Sequence, residues 1–119
     1  MPALGFLARF ADAVESGEKR QTIRRVRKHP IKPGDKLYLK TGMRTNHCRA
    51  LGLVTCASIT PVRLGSGPFA TRVELDGRLL SITEAPALAR ADGFAGIEEM
   101  LRWFYGQYSL PFDGVLIRW

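Results

Sequence analysis

The sequence predicts an α+β domain: a small, partly closed β-barrel of five or six strands, flanked by an N-terminal helix and two C-terminal helices. Three observations lead there. A chain of 119 residues, 45% hydrophobic and 24% charged, suits one core and leaves no room for a second. Its middle is a run of short alternating segments separated by turn residues, which is the pattern of strands. Helical spacing of apolar residues is confined to the two ends. No repeat, low-complexity segment or interior linker divides residues 1–119.

Phe6, Leu7, Phe10 and Val14 recur at helical spacing and Gly17 stands in the C-cap place, predicting a helix over about residues 4–16. "QTIRRV" alternates as a strand with Thr22, Arg24 and Val26 on one side. "IKPGDKLYLKTG" holds a Pro-Gly-Asp turn and then a strand with Leu37 and Leu39 on one face. "CRALGLVTCASITPVRL" reads as one long β segment, with Gly52 a bulge and Pro61 a bend or an edge. "TRVELDGRLLSI" predicts a hairpin about Asp76-Gly77. "TEAPALARA" is a short helix, and "DGF" interrupts it. In "GIEEMLRWFYGQY", Ile97, Met100, Leu101 and Phe104 share an apolar face. Of Trp103, Phe104 and Tyr105, at least one must face the core on any helix. "LPFDGVLIRW" closes the chain as a turn and a strand, with Trp119 expected to pack.

The N-terminal residues carry acids and lack a basic leader with a continuous apolar run, so no signal peptide is expected there. No apolar stretch approaches the ~20 residues that span a bilayer. The expectation is a soluble, cytoplasmic protein with no membrane partner. Cys48 and Cys56, with seven residues between them, match no common zinc spacing, and His47 and His29 complete none. Two reduced, partly buried thiols, no metal and no cofactor are expected. Oligomeric state leaves no mark in the sequence.

Charge is informative through its position. Lys19 to Arg49 holds eleven Lys or Arg against one acid, Asp35, a net of +10, while the remaining residues sum to −3. A block of this kind is the footprint expected for a phosphate-bearing or polyanionic partner. Its densest part is "VESGEKRQTIRRVRKHP", where Lys19, Arg20, Arg24, Arg25, Arg27 and Lys28 surround a lone hydroxyl, Thr22. These six are the candidate phosphate contacts, and their affinity for RNA would fall steeply with salt. Tyr38, on the next strand, is a candidate platform for base stacking.

"GEKRQTIR", residues 17–24, following a helix and preceding a Pro-Gly-Asp turn, resembles the signature of the ASCH family of the PUA-like superfamily of small β-barrels. Gly17, Lys19, Thr22 and Arg24 carry the likeness. "ADGFAGIEEMLRWF" and the closing "FDGVLIRW" are similar to the C-terminal half of such proteins, so it spans nearly the whole chain in order. The resemblance implies binding of RNA, a nucleotide or a nucleoside in a basic cleft. One branch of the family consists of amidohydrolases that deacetylate N4-acetylcytidine. Carried over by position, the resemblance implies Lys19, Thr22 and Asp92 as catalytic residues; the branch has Glu where this chain has Asp92, one methylene shorter.

Amide cleavage needs a nucleophile, a proton acceptor and oxyanion stabilisation. Thr22 offers the hydroxyl. Lys19 serves as base only if its pKa falls far below ~10.4, and crowding by Arg20, Arg24 and Arg25, with burial, would act in that direction. Asp92 would protonate the leaving amine, and Arg24 would hold an oxyanion or phosphate. Each also has a structural role open to it: Thr22 in packing, Lys19 as a solvated cation, Asp92 as cap of the following helix. Binding alone is the primary expectation and hydrolysis of an acylated nucleoside the alternative. A single-stranded RNA nuclease and a protein-interaction module are further alternatives; the first lacks an evident pair of proton-transfer groups, the second a peptide groove.

Overall fold

Residues 2–65 and 72–119 are described in the computed structural model. The N-terminus departs from the helical expectation. Residues Ala3–Phe6 form a strand, β1, and the helix α1 spans Ala8–Ser16. The apolar spacing of Phe6, Leu7 and Phe10 fits a helix, but Leu4 and Phe6 also alternate, and pairing parallel to β3 (Lys36–Thr41) buries both. Leu7, the residue at the junction, is extended and 53% exposed. Long-range pairing outweighs local period here.

The remaining elements are β2 (Gln21–Arg24), β4 (Arg49–Thr55), β5 (Ser58–Leu64), β6 (Val73–Leu75), β7 (Arg78–Leu79), α2 (Glu84–Ala91), α3 (Ile97–Gln107) and β8 (Phe112–Arg118). They make two sheets, ordered β1-β3-β4 and β2-β8-β5-β6-β7, with β1–β3 the parallel pair. The described residues thus hold eight strands rather than five or six. One addition is β1. The other comes from the long β segment, which divides at Cys56-Ala57: Cys56 exchanges backbone bonds with Asp35 and Gly34, beside β3, whereas the Ala57 N–H bonds to Arg118 at the end of β8. Two consecutive residues therefore bond towards different sheets, and the chain turns the corner between them.

Strand pairing among the described residues does not run round into a closed barrel. β1 and β2 are the facing edges of interest, because side chains bridge them. The β1 carbonyls not used by β3, those of Ala3 and Gly5, accept from Arg27 Nη2 and Arg24 Nη2. Two guanidinium groups thus satisfy an edge that a neighbouring strand would otherwise satisfy.

Most local expectations hold. Leu37 and Leu39 face the core together. The β3–β4 register slips at Leu51, one residue from Gly52, and that extra residue is buried. Pro61 is no bend: it pairs with Val115 inside β5 but lies just past the end of the β5–β6 ladder, so on that side it is a local edge and its missing N–H costs no ladder bond. Asp76 and Gly77 both have positive φ, as a tight hairpin turn requires; Thr71, at the start of the predicted hairpin, lies outside the described residues. Met100, Leu101 and Phe104 of α3 are buried and Tyr105 is exposed. The Trp119 indole sits edge-on to Phe6 at 6.0 Å, and the Trp119 backbone N–H bonds to the Arg20 carbonyl. A capping box, written in the sequence as "SITE", opens α2: Ser81 Oγ accepts from the Glu84 N–H while Glu84 Oε1 accepts from the Ser81 N–H. Among the described residues, no helix is long and apolar enough to cross a membrane.

Candidate functional site

The end of α1 delivers the first site residue. Gly17 takes the left-handed conformation at φ 88°, and the Lys19 N–H returns to the Ala13 carbonyl, so the chain reverses tightly and enters β2. β2 pairs antiparallel with β8, leaving Gln21, Thr22 and Ile23 all buried. The opposite wall is the C-terminal turn of α2. Gly93 there has φ 99°, and a Cβ on it would lie 2.8 Å from the Phe10 ring. Only glycine lets this turn close over Phe10 and Lys19.

These elements enclose a cleft of about 120 Å³ at the β1–β2 seam. Lys19, Thr22, Arg24 and Asp92 line it, with Phe6, Phe10, Phe94, Trp103 and Tyr108 among the aromatic walls. A single water needs ~10–15 Å³ of such space, so the cleft has room for several waters or a small group.

Lys19 is 3% exposed. Its Nζ donates to the Gln21 carbonyl at 2.7 Å and the Asp92 carbonyl at 2.6 Å, and lies 3.4 Å from Asp92 Oδ1. Three acceptors match the three N–H bonds of an ammonium. The Phe10 and Phe6 rings stand 5.3 and 5.8 Å away and add cation–π attraction. Burial lowers the Lys19 pKa to about 8, against the opposing pull of Asp92; Arg24 contributes the smallest push downward. The expected crowding by Arg20 and Arg25 is therefore corrected: both side chains are exposed, and loss of hydration does the work. Burial likewise raises the Asp92 pKa, opposed by Lys19 and by the hydrogen bond from Gln21. At neutral pH most Lys19 remains charged, with a deprotonated fraction close at hand.

Asp92 terminates α2 and does not cap the following helix, which begins beyond Gly96. Its carboxylate turns onto Lys19 and takes Gln21 Nε2 at 3.3 Å, so the shorter acid reaches the lysine. Thr22 Oγ1 accepts from Arg24 Nε at 3.0 Å, and the Lys19 amine bonds elsewhere. Arg24 lies 4.9 Å over the Phe6 ring, and burial lowers its pKa. The cleft thus holds a compensated Lys19–Asp92 pair and one further cation, Arg24, that has no carboxylate within ion-pair distance among the described residues.

The six cations divide. Lys19 is inside the cleft, Arg24 and Arg27 hold the β1 edge, Arg25 lies 4.6 Å over Tyr108, and Arg20 and Lys28 are exposed. Tyr38 is not brought to the cleft; it stands on the outer face of the three-stranded sheet. Gln21 and the aromatic wall do not stand out in the sequence. Phe94 and Trp103 become walls only through folding. Trp103 is both core and cleft, 4.9 Å from Phe104. The described residues hold no cluster of three His, Cys, Asp or Glu that would bind a metal; both cysteines are free thiols, but against expectation Cys48 is exposed and only Cys56 is buried. No family model, curated protein or solved structure matches the chain.

Proposed function

We propose that the cleft binds a single nucleoside or nucleotide, base inward, in an ASCH-type fold whose barrel is completed by the Arg24 and Arg27 side chains in place of strand pairing. The observation that carries this reading is the union of aromatic walls with Thr22, Arg24 and Asp92 in one cleft of about 120 Å³. Flat rings favour stacking, and a few convergent polar groups set orientation. Arg24 offers an acceptor-bearing ligand its one uncompensated cation. Arg20, Arg25 and Lys28 outside suit a ribose phosphate or the flanking units of an RNA.

A second reading, hydrolysis of an acylated nucleoside such as N4-acetylcytidine, is favoured by Lys19, Thr22 and Asp92 lining one cleft, with Lys19 and Asp92 paired. In it, neutral Lys19 takes the Thr22 proton as Oγ1 attacks the acyl carbon, and Arg24 holds the oxyanion. Asp92, protonated, gives its proton to the leaving amine as the C–N bond breaks; water then cleaves the acyl ester. A lysine near pKa 8 suits that base.

Calorimetry with cytidine, its 5′-monophosphate and N4-acetylcytidine, together with an acetate-release assay, tests both. Under binding alone, the ligands bind without acetate release and Thr22→Ala changes affinity little. Under hydrolysis, acetate is released and Thr22→Ala abolishes release while binding persists. Absence of binding to all three ligands by a folded protein overturns both readings.

A further inference from the structure

The outer face of the β1-β3-β4 sheet has a composition the cleft does not explain. Leu37 and Leu39 point inward, which turns Lys36, Tyr38 and Lys40 outward on β3. Register places Leu53 of β4 directly across from Tyr38 on one side and Ala3 of β1 on the other; Gly5 lies across from Lys40, and Thr55 across from Lys36. Tyr38 is 37% and Leu53 55% exposed. On the β1 side the residue across from Tyr38 is the small Ala3, while the Met43 side chain covers Gly5, the next outward position. No Asp or Glu occurs anywhere in the three strands. Lys40 Nζ stands 5.8 Å from the Tyr38 ring, and Lys36 is held by Thr55 Oγ1 at 2.8 Å. Arg27, bonded to the Ala3 carbonyl, adds a cation at the open end of the Ala3–Tyr38–Leu53 row.

We propose that this face binds single-stranded nucleic acid, with one base stacked on Tyr38 against Leu53 and the flanking phosphates met by Lys36, Lys40 and Arg27. The reason lies in the combination. An exposed aromatic ring on an open sheet offers a base the flat contact it needs once unpaired, and cations on both sides complement a phosphate every nucleotide. A duplex hides its base faces and uses none of the Tyr38–Leu53 row. A polyanion without bases uses the lysines alone. The face shares no side chain with the cleft, so the two sites stand or fall separately.

The test is fluorescence anisotropy of end-labelled oligouridylate and oligothymidylate of about 12 nucleotides on the full chain, at salt from ~50 to ~200 mM. Wild type is expected to bind at least one strand, more weakly as salt rises, and the tighter of the two identifies RNA or DNA as the source. Tyr38→Ala should weaken binding about 5- to 100-fold, Tyr38→Phe should retain it, and Leu53→Ser should weaken it with the sheet otherwise intact. Removing Lys36 and Lys40 together should reduce the salt slope by about 0.7 for each phosphate that is no longer neutralised. Melting curves and nucleoside binding in the cleft, unchanged by Tyr38→Ala, separate a surface defect from a folding defect. The proposal is overturned if wild type binds neither strand at low salt, or if folded Tyr38→Ala and Leu53→Ser bind as wild type does. Equal binding of duplex and single strand would also overturn it.

Discussion

Two ion pairs of this molecule show opposite electrostatics. On the surface, Arg78 grips Glu84 through two hydrogen bonds of 3.0 and 2.9 Å, and the Glu84 pKa falls to about 2 through the bonds from Arg78 and the Ser81 backbone. On the cleft floor, Lys19 meets Asp92 at 3.4 Å, yet the acid is raised and the base lowered to about 8. An opposite charge sits beside each carboxylate, so pairing alone does not decide the direction. Water does. Glu84 keeps its hydration and gains donors, whereas Asp92 loses hydration that one lysine and one amide do not replace. The surface pair is a fastening; in the buried pair loss of water pushes the base down and the acid up, against their mutual attraction.

Four perturbations sharpen that contrast. The largest effect is expected from Lys19→Met, which strands a buried carboxylate and should cost about 3–5 kcal/mol in denaturant unfolding. Adding Asp92→Leu should recover most of that loss; a double variant as unstable as the single one would show that packing, not charge, sets the cost. Next comes pH. Lys19 binds its proton more weakly folded than unfolded, so unfolding takes up a proton between about pH 8 and the unfolded value of 10.5, and stability should rise with pH across that window. The shift corresponds to about 3 kcal/mol, read as wild type minus the double variant over the same pH range.

Gly93→Ala forces a left-handed residue and a Cβ onto Phe10. A loss of about 1–3 kcal/mol is expected, with a weakened cleft, checked by melting and nucleoside titration. The smallest effect belongs to Glu84→Gln. Glu84 has a depressed pKa, so its contribution is complete above about pH 4.5 and is lost as pH falls towards 2. The variant should flatten the acid limb of the stability profile, and salt should shrink the difference. An unchanged acid limb would assign the acid sensitivity elsewhere.

Several features are legible in the sequence because they depend on near neighbours. The Asp76-Gly77 turn, the α2 and α3 helices, the alternation of Leu37 and Leu39, and the Lys19–Thr22–Arg24 grouping each arise within a few residues. β1 is hidden because Phe6 and Phe10 satisfy two periods at once, and only the β3 edge chooses between them. The division at Cys56-Ala57 is hidden because both strands have the same composition; what differs is the partner.

The same line runs through the candidate site. The sequence by itself determined which groups carry charge, that a hydroxyl stands among them, and that an acid precedes the last helix, because these are properties of covalent identity and short-range order. The tertiary structure alone decided that Lys19 is buried while Arg20 beside it is exposed, that Arg24 and Arg27 bond to β1 carbonyls, and that Tyr38 faces away from the cleft. The physical reason is that a side chain's chemistry depends on how much water it keeps. That is set by residues distant in sequence, as Asp92 is from Lys19, brought together by a turn that only Gly93 can make.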